Sequence, residues 1–454
     1  MSREKSKLSE KGPPMTQRIM IRNSAVTHMP FSMSFLPLAM EFADKGARAF
    51  GYGERETAGL ALAAEELFSF YARRSTGDSR VELGLEDQGY RLALTMSFRA
   101  ANPDLRAFNL TWKPGHDSEE ALDMLGPMIA ARSVSGLRLE FGDNERVALR
   151  VTRDREYPPA GAVTLPPAEA AKSVRLADPT TDDLRHFAAQ AAASGSPFVP
   201  PFLARPGMAA DMFDTGSLNA ALVLGNDWIV GGVLWRPLTD TCLELYGPYL
   251  FCDDPGDRTL AMLLDEAVGR ISRTSFRGLV RRQGRLAGHE RFFDFLGEVE
   301  MAGVDGAGAR STYYYRQLRE DSSGVVYCPA PLAAFLEDQY ERLCLPRQVR
   351  EKSSGDRLRD ASVLAVELEW PRSLAILRPL CAGKDMAANL AAHLELLRGE
   401  GISNFLVEIN TGRSEETAFA GALEEAGFAP ALVIPDAGQG DLVVYSRSVR
   451  DVLP

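Results

Sequence analysis

A mixed α/β (α+β) protein of three modules is the fold this chain predicts. Stretches of helical apolar period alternate with stretches of strand period along the whole sequence. Two linker-like stretches divide it. Residues 154–171, DREYPPAGAVTLPPAEAA, hold two Pro-Pro pairs, and residues 346–360, PRQVREKSSGDRLRD, are charged and carry Ser and Gly. The second could equally be a helix plus a loop inside a domain. At 454 residues the chain exceeds one ordinary domain, and residues 172–450 read as two distant copies of one unit.

The elements follow in order. Residues 1–14 are charged and polar and predict a disordered tail. Module one, 15–153, opens with a strand at Ile19–Arg22. Helices follow near Ser32–Ala49 and Arg55–Arg74, then alternating strands at Arg80–Leu85 and Tyr90–Arg99. A helix over Ser118–Ser133 and strands at Gly136–Phe141 and Arg146–Thr152 close it.

After the linker, module two spans 172–320. KSVRLADPTTDDLRHFAAQ predicts a strand, Thr/Asp caps and an amphipathic helix. Strands are expected at Ala220–Leu224, Trp228–Trp235, Cys242–Phe251, Gly278–Arg282 and Arg310–Leu318. Helices are expected at Arg258–Ser272 and Gly288–Leu296. Module three, 321–454, predicts a strand at VVYC and a helix over Pro331–Arg342. Strands at Val363–Trp370 and Ser373–Pro379 and a long helix Met386–Arg398 follow. The strand GISNFLVEIN, a helix Ser414–Ala426 and the dipeptide Gly427-Phe428 complete the predicted elements.

The net charge of -11 argues against a general nucleic-acid binder, which needs a basic face to displace counterions. Arg277, Arg281, Arg282 and Arg285 form a local basic group that reads as a solvated helix or strand end. Five cysteines, an odd number without a CxxC pair, point to reduced thiols and argue against a zinc site. The N-terminus lacks the apolar core of a signal peptide, and no apolar run reaches membrane-spanning length, so a cytoplasmic address without membrane contact is expected.

The run Leu60–Arg74, LALAAEELFSFYARR, resembles the signature helix of the histidine-kinase-like ATPases in the form found in anti-sigma serine kinases. Glu66 falls on the family glutamate, Phe70 on the asparagine that binds magnesium, and Arg74 on a later histidine. The family D-x-G aligns with Ser97-Phe98-Arg99-Ala100-Ala101, which has neither aspartate nor glycine. Its glycine box reduces to Leu125-Gly126-Pro127-Met128. Phe70 and Phe98 offer no oxygen to magnesium or adenine, and Pro127 removes a backbone donor. The resemblance therefore implies the ATPase fold without ATP or magnesium. It also implies a partner-binding surface of the sigma-factor or antagonist type, and a homodimer.

Modules two and three resemble the GNAT acyltransferases, most specifically in the strand-Asn-helix-Gly-Phe run of module three. The family holds the pyrophosphate of acetyl-CoA or another acyl-CoA on amides at a helix start. The resemblance places Gly256, Arg258 and Thr259 there in module two, and Lys384 in module three, with Asn410 after a later strand. Glu244 and Tyr246 on one strand face, and Glu408 on another strand, are the candidates for proton transfer. The tyrosine that protonates the leaving thiolate in relatives is replaced by Phe293 and Leu423.

Two functions remain open on this sequence. One is a regulator that binds a protein through module one and an acyl-CoA through the GNAT-like pair. The other is an active N-acyltransferase with Glu244 or Glu408 as base. A third reading is residual ATP binding as an anti-sigma serine kinase.

Overall fold

The computed structural model describes residues 23–447, except 101–102, 113–118, 142–144, 168–172, 254–256, 287, 289–290, 303–307, 322 and 352–357. These residues form a mixed α+β protein with four sheets.

In module one, β1 (Ser24–Pro30), α1 (Leu36–Ala49), α2 (Glu54–Ala72), β2 (Arg80–Asp87) and β3 (Arg91–Arg99) are followed by α3 (Glu119–Ser133), β4 (Gly136–Phe141) and β5 (Arg146–Asp154). The strands form an antiparallel sheet in the order β1-β2-β3-β5-β4. Alternation sends Leu83, Leu85, Leu92, Leu94, Leu149 and Val151 to one face, where they meet α1 and α2. Ala39, Ala43 and Ala47 recur every four residues on α1 and leave room for close packing. The expected strand at Ile19–Arg22 lies outside the described residues. The first described strand starts at Ser24, where polar residues hide the alternation.

Module two holds β6 (Val174–Ala177), α4 (Thr181–Ala193), α5 (Pro206–Asp214), β7 (Asn219–Gly225), β8 (Trp228–Pro237), β9 (Cys242–Leu250), α6 (Arg258–Ile271), β10 (Gly278–Gln283), β11 (Asp294–Ala302) and β12 (Gly308–Gln317). Thr180 and Asp183 make the capping box that starts α4. The sheet order is β11-β12-β10-β9-β8-β7-β6, and β9–β10 is its parallel pair, crossed over by α6. Both faces are covered, by α4 and α5 on one side and α6 on the other. The predicted helix Gly288–Leu296 is not formed: β11 begins at Asp294. Phe292, Phe293 and Leu296 have helical spacing, but pairing with the tyrosine-rich β12 claims the segment. Helix α5 had no expectation, because Pro206 and Gly207 at its start read as a loop.

Module three contains β13 (Gly324–Cys328), α7 (Ala330–Arg342), β14 (Arg347–Glu351), β15 (Val363–Glu369), β16 (Leu374–Cys381) and α8 (Met386–Gly399). Then come β17 (Asn404–Asn410), α9 (Ser414–Thr417), α10 (Ala420–Glu425), β18 (Phe428–Ile434) and β19 (Leu442–Arg447). The main sheet runs β15-β16-β17-β19-β18, with β16–β17 parallel and α8 crossing between them. The linker-like stretch after Pro346 supplies β14, parallel to β13. The predicted helix Ser414–Ala426 is two short helices.

Apolar residues of β10, β11 and β12 pack against those of β16, β17, β18 and β19, joining modules two and three. Asn404 donates to Ala302 O at 3.0 Å and accepts from its N–H at 2.7 Å across that joint. Module one meets module three at Asn109, whose side chain donates to Ser362 O at 2.8 Å and accepts from Leu364 N–H at 3.0 Å. None of the described helices is long and apolar enough to cross a membrane. All five cysteines are free thiols.

Candidate functional site

The two parallel pairs repeat one register. β9 and β10 pair from Cys242–Gly278 to Leu245–Arg281, and β16 and β17 from Leu374–Asn404 to Leu377–Val407. Pairing stops after four positions in each. The next residues are Tyr246 and Arg282 in module two, and Arg378 and Glu408 in module three. Freed backbone groups and charged side chains must find partners at these points.

The joint between the modules brings the charges together. Arg282 donates from Nε to Glu244 Oε1 at 2.8 Å and from Nη1 to Glu408 Oε1 at 2.9 Å. Arg378 donates to Glu408 Oε2 at 2.7 Å and to Glu367 Oε2 at 2.6 Å. Tyr246 donates its hydroxyl to Glu244 Oε2 at 2.5 Å and accepts from Arg236 Nε at 2.9 Å. Glu244 and Glu408 side chains are 7% and 2% exposed. The candidates Glu244, Tyr246 and Glu408 are thus one network, and Arg282 is the residue they share. The sequence reading placed Arg281 and Arg282 in solvent; both are buried instead, because an arginine at alternate strand positions faces each side of a covered sheet.

Electrostatics fixes what this network can do. Burial pushes the Glu244 carboxyl up, but Arg282 and Arg236 outweigh it and hold the group at about 2. A carboxylate held so low is a poor proton acceptor near neutral pH. Burial and the Glu244 charge raise the Tyr246 hydroxyl well above its usual range. Arg282 is held charged by Glu244 and Glu408 against its burial.

An acyl-CoA does not fit the strand ends. In module two, Gly247 N–H donates to Gln283 Oε1 at 2.9 Å, and Gly247 O accepts from Arg281 Nε at 2.6 Å. Side chains of β10 thus take the backbone groups that a ligand amide would use. Arg281 also donates to Gly284 O at 2.7 Å, and burial lowers it to about 10. At the start of α6, Arg258 is exposed and Thr259 buried, while Gly256 lies outside the described residues. In module three the chain itself closes the start of α8. A Cβ on Gly383 would lie 2.2 Å from the Ala361 carbonyl carbon and the Ser362 nitrogen. Lys384 pairs with Asp360 at 2.6 Å, and Asp385 accepts from Ser362 N–H at 2.6 Å. Asn410 Oδ1 accepts from Gly412 N–H at 2.9 Å and Gly440 N–H at 3.2 Å, so it caps a turn.

In module one, Phe70 and Phe98 are core residues. Tyr71 stacks at 4.8 Å from each, and Phe31 lies 5.2 Å from Phe98 and 5.1 Å from Phe68. Gly126 on α3 touches α2: a Cβ there would lie 2.6 Å from Glu66 Oε2. Glu66 is half-buried, and burial followed by the Glu65 charge raises its carboxyl. Buried rings and a helix contact therefore occupy the positions of the nucleotide and magnesium contacts, and neither ligand fits. No group of three or more His, Cys, Asp or Glu among the described residues is arranged to hold a metal ion.

No family model matches the chain. No curated protein matches it. Solved structures similar to it include an N-acetyltransferase from Staphylococcus aureus Mu50, 14% identical, with 33% of this chain and 100% of that one covered at a TM-score of 0.28. The microcin C7 self-immunity acetyltransferase MccE, in complex with acetyl-CoA and AMP, is 11% identical over 34% of this chain and 98% of its own, at 0.25. The ribosomal L7/L12 alpha-N-protein acetyltransferase RimL is 12% identical over 34% and 99%, also at 0.25. Each likeness spans about one third of this chain, at scores too low to carry an argument about its activity.

Proposed function

We propose that this chain is a regulatory, partner-binding protein whose GNAT-like modules two and three act as a scaffold and not as catalysts. The observation that carries this reading is the Arg282 bridge. Both carboxylates suited to base catalysis are spent on one buried guanidinium, and the hydroxyl beside them is spent on Glu244. Module one, with its anti-sigma-kinase-like order of elements and its aromatic core, supplies the surface for a protein of the sigma-factor or antagonist type. An acyl-CoA, if it binds, takes module two through Arg258 and Thr259, since the start of α8 is closed by residues 359–362.

The test is acetyl-CoA turnover by the full chain over a panel of amines and proteins. No turnover is expected. Turnover that disappears in Glu244→Gln or Glu408→Gln would overturn the proposal and establish the N-acyltransferase instead. Calorimetry with acetyl-CoA on wild type and Arg258→Glu reads the ligand separately, because unchanged binding removes Arg258 from it.

A further inference from the structure

Alternation on β4 and β5 sends Leu139, Leu149 and Val151 inward and Arg138 and Arg150 outward, on the sheet face of module one away from α1 and α2. Arg138 pairs directly with Arg150 in the β4–β5 register. Like charges directly opposite on neighbouring strands repel and need a compensating group. Other arginines of this face have one. Arg91 meets Asp154 at 3.1 Å, Arg146 meets Glu82 at 3.3 Å, and Arg150 meets Glu86 at 2.9 Å. Arg138 has no hydrogen-bond or ion-pair partner among the described residues.

The row continues from Arg150 to Thr95, Gly84 and Val26, each opposite the next. Over it lies a groove of about 250 Å³, lined by Ser24, Val26, Gly84, Glu86, Thr95 and Arg150. Gly84 leaves its floor open, since a Cβ there would meet only Val26, at 3.9 Å. Module three adds a third cation. Arg359 stacks on Phe141 at the end of β4, 4.5 Å from the ring centre. The charges of Arg91, Arg378 and Arg150 act on Arg138 and, after burial, lower its proton affinity.

We propose that this face binds a small phosphate-bearing anion between Arg138 and Arg150, at the junction of modules one and three. Two guanidinium forks on adjacent strands suit a tetrahedral oxyanion, which offers each fork a pair of oxygens. The Thr95 and Ser24 hydroxyls extend the polar lining into the groove. Its volume admits a phosphate monoester and is small for a whole nucleotide. The anion removes the Arg138–Arg150 repulsion and ties Arg378 to module one, so it favours the closed arrangement of the modules.

Calorimetric titration of the full chain with inorganic phosphate, and separately with acetate, tests the site. Wild type gives a saturable phosphate isotherm and none with acetate. Arg138→Gln weakens phosphate by about tenfold or more, as loss of one charge-assisted pair requires. Arg138→Glu abolishes binding and raises the melting temperature by pairing with Arg150, which shows that the variant folds. Arg146→Gln, on the same face but paired with Glu82, leaves the affinity unchanged. Equal phosphate affinity in wild type and Arg138→Gln, or no saturable isotherm in wild type, overturns the proposal. These outcomes do not depend on acetyl-CoA turnover, so this site and the regulatory reading can fail separately.

Discussion

Glu416 is the carboxyl whose protonation weighs on stability near neutral pH. Burial raises it to about 7, against the Asn410 N–H donated at 2.8 Å and the Arg413 charge. The folded chain therefore holds this proton more tightly than the unfolded chain. Its contribution is complete below about pH 4.5 and is lost as pH rises through about 7. Glu416→Gln keeps an oxygen for Asn410 and removes the titration. Relative to wild type, the variant gains stability between pH 5 and pH 8, by up to about 3 kcal/mol. Urea unfolding of both proteins at the two pH values checks this, and parallel pH curves would refute it. Phe70 shows what a single residue type discloses in sequence. A ring without oxygen at an expected metal-ligand position already excluded that ligand, and its burial beside Tyr71 supplies the reason for its retention. Glu244 and Glu408 were legible as carboxylates on strands. Their joining through Arg282 was not, because it needs the packing of two sheets 126 residues apart in sequence.

At the scale of elements, regular alternation made β2, β3, β5, β8, β9, β16 and β17 readable. The unread elements lacked it. β14 is short and charged, α5 opens with Pro-Gly, and β11 carries aromatic residues at helical spacing. In each case pairing or packing with a distant segment overrode a local signal. The closure of α8 shares that origin, since nothing near Gly383 in sequence reveals that residues 359–362 lie on it. Gly383→Ala must displace that backbone, with an expected loss of about 2 kcal/mol. Hydrogen exchange at residues 358–364 reads it: faster exchange there than in β17 is expected, and wild-type protection would refute the closure.

For the whole molecule, the joint between modules two and three combines an apolar layer with a buried charge chain. Removing the shared cation leaves Glu244 and Glu408 short of a partner in a dry place. Arg282→Met is expected to cost about 3 kcal/mol, read as a lower urea midpoint. The pH dependence gives the cause. In wild type the Glu244 contribution is present above about pH 4.5 and is lost as pH falls through about 2. The gap between variant and wild type is therefore widest at neutral pH and narrows in acid, whereas a loss of packing alone would leave it constant.

The repeated register adds a consequence. Arg282 and Glu408 occupy the same position of the two copies, each just past the fourth parallel pair, and they meet each other. Had two copies of module two met through this face, two arginines would oppose each other; two copies of module three would oppose two glutamates. The face is thus a lock with a distinct key: fusing both copies in one chain let the same position carry opposite charges, and it commits each copy to its covalent neighbour and against its own kind.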